Sequence, residues 1–89
     1  MIGKIKVIGA NNQTHLEWIN KEFEGCKLFF NGSYHVLERP DTTVMFYEIY
    51  KTLILEDKFV FEGHASINGS LGRLALEFTP IALSMSPSP

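Results

Sequence analysis

The stretch 43-TVMFYEIYKTLILEDKFVFEGHASINGSLGRLALEF-78 decides the fold. In its middle, Phe59, Phe61, Gly63, Ala65 and Ile67 alternate with Val60, Glu62, His64 and Ser66. Period-two alternation of this kind marks a strand that buries one face.

Parity then places its neighbours, because a slip of one residue in register sends every side chain to the wrong face. Asn68-Gly69 suits a two-residue hairpin turn, whose central positions need positive φ. That turn pairs Ile67 with Ser70, Ala65 with Gly72, Gly63 with Leu74, Phe61 with Leu76 and Phe59 with Phe78, and the apolar sets coincide. On the other side, a three-residue loop Glu56-Asp57-Lys58 pairs Leu55 with Phe59, Leu53 with Phe61, Ile49 with Ala65 and Tyr47 with Ile67. A two-residue loop would turn Leu53 and Leu55 to the opposite face. Asp41-Thr42-Thr43 could cap a helix here, but the Val, Phe, Ile and Tyr that follow favour a pleated surface. The stretch reads as three antiparallel strands sharing a buried face.

Working outward, Lys4 to Ile8 alternates as a short strand before the turn-forming Gly9-Ala10-Asn11-Asn12. Thr14 and Glu17 have the spacing of a capping box, Leu16, Ile19 and Phe23 form a stripe at helical spacing, and Gly25 can supply a left-handed C-terminal residue. This predicts a helix over about 14–24, with Trp18 beside the stripe as an edge-packed residue or an interaction anchor. A second Asn-Gly pair, Asn31-Gly32, joins Cys26–Phe30 to Tyr34–Glu38 as a hairpin with Phe29 opposite Tyr34. Arg39-Pro40-Asp41 breaks it.

The predicted fold is α+β: one helix (14–24) packed on a mainly antiparallel sheet of five to six strands in the order β-α-β-β-β-β-β. An open sheet is favoured over one curled into a small barrel, to which inward Gly63 and Gly72 could bend it. Residues 1–83 form one globular domain, and 84–89, Ser-Met-Ser-Pro-Ser-Pro, have the composition of a disordered tail.

Composition narrows the function classes. Eighty-nine residues with 45% apolar content allow one modest core. A net charge of −2, with Lys and Arg scattered from Lys4 to Arg73, gives no electrostatic footprint for nucleic acid. Cys26 is the single cysteine, so an intramolecular disulfide and a multi-cysteine zinc site are ruled out, and a buried free thiol in a reducing compartment is expected. No apolar run approaches the roughly 20 residues needed to span a bilayer. The expected setting is cytoplasmic, with no membrane or nucleic-acid partner. The three histidines lack metal-ligand spacing, Gly69-Ser70-Leu71-Gly72-Arg73 is not a phosphate loop, and no nucleophile elbow is present, so no metal, cofactor or catalytic set is implied.

The registers do assemble a polar cluster on the outer face: His64 between Tyr50 and Arg73, Glu62 beside Thr52, and Ser66 beside Glu48. Such a group can hold a small anionic or nucleotide-like ligand, or exchange protons, although weak cross-strand pairs of this kind occur on most antiparallel sheets. Val60 and Ile54 make the same face semi-apolar towards the Glu56–Lys58 turn, which suits a protein contact. The candidate contact residues are Tyr50, Glu62, His64, Arg73, Glu48 and Trp18. The leading expectation is a small non-enzymatic accessory or inhibitory protein acting through a sheet face or edge, with another protein or a second copy (a homodimer) as partner. The alternative is ligand binding or minor catalysis by the Tyr50, Glu62, His64 and Arg73 cluster.

Overall fold

The computed structural model describes residues 1–81. Six strands, β1 (Ile2–Ala10), β2 (Glu22–Phe30), β3 (His35–Arg39), β4 (Thr42–Ile54), β5 (Phe59–Ile67) and β6 (Ser70–Pro80), follow one another around a closed antiparallel barrel. The α+β expectation is overturned. The helix α1 is a single turn, Gln13–Leu16; of the residues predicted to extend it, 17–21 form a connector and 22–24 enter β2. The expected tail, 84–89, lies outside the described residues.

Residues 22–30 become a strand because each edge has a neighbour: Gly3 pairs with Cys26 and Ile5 with Phe23 on β1, and Leu28 pairs with Leu37 and Phe29 with Val36 on β3. Closing both ladders satisfies backbone groups that an open sheet leaves exposed. Gly25 does adopt a left-handed conformation (φ 74°), but inside a strand, where β2 carries one residue more than β1 between the two register points. A positive-φ glycine serves a bulge as well as a helix end. The capping box does not form; Asn12 caps α1 instead, its Oδ1 accepting from the Thr14 and His15 amides at 2.6 and 3.2 Å.

α1 and its connector close one end of the barrel. His15 is fully buried there, its Nε2–H donating to the Ser70 carbonyl. Ile19 forms a bridge with Val7, and Trp18 is half-buried against Phe23, ring centroids 4.8 Å apart. The core between the strands is Ile5, Val7, Cys26, Leu37, Val44, Phe46, Ala65, Ile67, Leu74, Leu76 and Phe78. Cys26 is a structural thiol: burial, with a smaller contribution from the Asp41 charge, pushes it above its ordinary 9.0 against the opposing pull of Arg39, and its S–H donates to the Phe23 carbonyl. Held protonated, it is a poor nucleophile.

The β5–β6 hairpin pairs as its turn predicts, Ile67 with Ser70 through Phe59 with Phe78, with Asn68 and Gly69 both at positive φ. The β4–β5 hairpin does not. Its loop has four residues, Leu55–Lys58, closed by the Leu55 amide on the Lys58 carbonyl, so Ile54 faces Phe59 and Thr52 faces Phe61. Two further residues of β4, Tyr47 and Tyr50, have no partner on β5, and each shifts the register by one. Consequently Phe46, not Ile49, lies opposite Ala65. The second Asn-Gly pair also falls in a four-residue loop, where Asn31 Oδ1 accepts from the Ser33 and Tyr34 amides. Phe29 is therefore opposite Val36 rather than Tyr34.

Candidate functional site

Gly63 makes the β4 irregularity possible. A Cβ at this position would run into the Glu48 carbonyl oxygen and stand 2.8 Å from the Glu48 carbonyl carbon and the Ile49 Cα. Only glycine lets the bulged strand approach so closely. The bulge at Tyr50 keeps Glu48 and Lys51 on one face, opposite His64 and Glu62 respectively.

Five of the six predicted candidates meet on this outer face. His64 Nδ1 and Glu48 Oε1 are 3.1 Å apart, the Tyr50 hydroxyl donates to Glu62 Oε2 at 3.2 Å, and the Tyr50 ring meets the His64 ring edge-on at 5.9 Å. Arg73 lies opposite His64 in the β5–β6 register. The details differ from the predicted scheme: Glu48 rather than Tyr50 is the register partner of His64, Lys51 rather than Thr52 that of Glu62, and Met45 rather than Glu48 that of Ser66. The sixth candidate, Trp18, belongs to the connector at the closed end and is not part of the cluster.

Partial removal from water, then the hydrogen bond and charge of Glu62, push the Tyr50 hydroxyl above its ordinary 10.0. Tyr50 therefore stays protonated and donates. His64 and Glu48 are both well exposed, with side chains 59% and 65% accessible, so their pair is screened by solvent and contributes little to stability. Arg73 makes no ion pair among the described residues. Beside it, Gly9, Ala10, Asn11, Glu62, Leu74 and Ala75 complete a groove of about 200 Å³. No group of three or more His, Cys, Asp or Glu side chains among the described residues is arranged to hold a metal ion.

A second surface lies at the barrel end opposite α1. β3 pairs with β4 no further than His35 with Phe46, so the eight residues Tyr47–Ile54 have no β3 neighbour and rise above the low β2–β3 wall. Leu28, Ile49, Phe59 and Phe61 are half-buried against the core at this open end. Phe29, Phe30, Leu53, Leu55 and above all Ile54, at 76%, are exposed around it. The Phe29-Phe30 and Leu53-Ile54-Leu55 runs were the available signal, but only the topology brings them to the same end.

No helix among the described residues is long and apolar enough to cross a membrane. Compared with known proteins, the chain matches no family model, no curated protein and no solved structure.

Proposed function

We propose that this is a small non-enzymatic accessory protein, working in the cytoplasm, that binds another protein through its open end. The observation that carries this reading is the concentration of exposed apolar side chains, Phe29, Phe30, Leu53, Ile54 and Leu55, at the barrel end opposite α1. Contiguous exposed apolar surface on a small domain marks an interaction site. Its low β2–β3 side and tall β4–β5 side form a notch rather than a flat face.

Side chains, not a shared ladder, make the contact. The free edge of β4 is bulged at Tyr47 and Tyr50 and carries Lys51, devices that discourage strand addition. Glu56 and Asp57 sit exposed at the tip of the hairpin and make no ion pair among the described residues. The complementary partner is an apolar protein surface flanked by basic side chains. Proton-transfer chemistry is a weaker reading, because the His64 and Glu48 side chains stand in open solvent, 59% and 65% accessible.

Site-specific photo-crosslinking in the native cell tests this. A photoreactive residue in place of Ile54 should give one discrete heavier adduct, whereas the same residue at exposed Leu16, at the closed end, should give none. Charge reversal at Glu56 and Asp57 should lower the Ile54 yield. An adduct of twice the chain's own mass would make the partner a second copy, and equal adducts from both positions would contradict the reading.

A further inference from the structure

We infer that the groove between β1, β5 and β6 binds a small molecule carrying a carboxylate and a hydrogen-bond-donating group such as an amine, with Arg73 holding the first and Glu62 the second. The inference is independent of the open end, which lies elsewhere on the barrel.

Every glycine in the chain other than Gly9 has either a left-handed backbone or an atom of another residue standing where a Cβ would go. Gly9 has neither: an added Cβ would meet only the Ala75 Cβ, at an ordinary 3.5 Å. The backbone does not require glycine there, yet glycine and alanine face each other across β1 and β6, in register with Glu62 on β5. Two minimal side chains side by side lower the sheet surface and open the groove of about 200 Å³.

Its polar groups are arranged for a ligand with two ends. Arg73 rises from the next row, opposite His64, with no ion pair among the described residues, and a guanidinium matches a carboxylate bidentately. Asn11 is fixed beside it: its amide N–H donates to the Arg73 carbonyl, and its Oδ1 accepts from the Arg73 amide at 2.9 Å. That leaves the Asn11 side-chain NH₂ as a second donor. On Glu62, Tyr50 occupies Oε2, so Oε1 is available to accept from an ammonium or hydroxyl group. The volume is below the roughly 300 Å³ at which drug-sized pockets begin, which points to a ligand of few heavy atoms.

Amide-resolved NMR titration of the whole chain with glycine, 3-aminopropanoate and 4-aminobutanoate tests the assignment, with acetate and ethylammonium as probes of each half. One of the amino acids should give saturable shifts at Gly9, Arg73 and Ala75, with acetate binding about tenfold more weakly and ethylammonium not at all. Arg73→Gln should abolish binding. Ala75→Leu, which fills the groove and keeps both charges, should abolish it too, the same spectra showing that the fold is intact. Absence of saturation with every amino acid would overturn the inference, as would unchanged binding to Ala75→Leu or acetate binding as tightly as the amino acids.

Discussion

Gly63→Ala is expected to be among the most damaging single substitutions in the chain, costing about 3 kcal/mol or more. The added methyl meets backbone, the Glu48 carbonyl and the Ile49 Cα, rather than the movable end of a side chain. Relief would require β4 to retreat from β5 across the bulge at Tyr50, disrupting the pairs from Glu48–His64 to Lys51–Glu62. A domain of this size has roughly 4–13 kcal/mol of total stability, so the loss is a large fraction of it. Gly9→Ala is the internal control, because its methyl reaches only the Ala75 Cβ at 3.5 Å; it should fall within about 0.5 kcal/mol of the parent. Urea denaturation followed by the fluorescence of Trp18, the single tryptophan, measures both. Equal midpoints for the two variants would remove the close approach from the account.

Phe78→Ala should cost about 3–5 kcal/mol by a different route, the cavity left by a large aromatic side chain. Phe78 is fully buried and lies between Ile5 on β1 and Phe59 on β5, and its ring edge stands 2.8 Å from where a Gly3 Cβ would be. Gly3 cannot grow into the space, because a side chain there would also strike the Thr79 carbonyl. With a urea slope of about 1 kcal/mol per molar, the midpoint should fall by several molar, or the variant should be unfolded without denaturant. Phe78→Leu, which retains most of the volume, should recover the greater part. A loss below about 1 kcal/mol for Phe78→Ala would mean that β6 does not cross a packed interior.

Legibility in the sequence followed how locally each feature is determined. The β5–β6 hairpin is fixed by two adjacent residues whose φ angles are both positive, so parity alone gave its whole register, including the His64–Arg73 pair. The β4–β5 register departs from parity first at its turn, where a four-residue loop puts Thr52 rather than Leu53 opposite Phe61, and again at Tyr47 and Tyr50, each of which inserts one residue where parity assumes none. Gly63, a lone glycine within a strand pattern, is the one hint of that close approach, and a strand glycine equally suits a bend. Tyr50, Glu62, His64 and Glu48 still share a surface because the insertion at Tyr50 keeps outward residues outward on both sides of it.

The region 14–24 misled for a related reason. Thr14, Glu17, Leu16, Ile19, Phe23 and Gly25 satisfy the local signals of a capped amphipathic helix, and propensity is a weak prior when a strand position closes two ladders at once. Asn12, two residues before the span, takes the capping role, and α1 stops after one turn at Leu16. Ile19 and Phe23 still pack against the core, but from a connector and a strand. The groove had no sequence signal, since Gly9 and Ala75 lie at opposite ends of the chain and meet only through the β1–β6 pairing that closes the barrel.

The barrel closes only if residues 22–30 pair on both edges, which cross-strand NMR contacts measure. Short interproton contacts should link Gly3 with Cys26 and Ile5 with Phe23 on one edge of β2, and Leu28 with Leu37 and Phe29 with Val36 on the other. Sequential helical contacts running from Thr14 to Glu24, with those cross-strand contacts missing, would contradict closure.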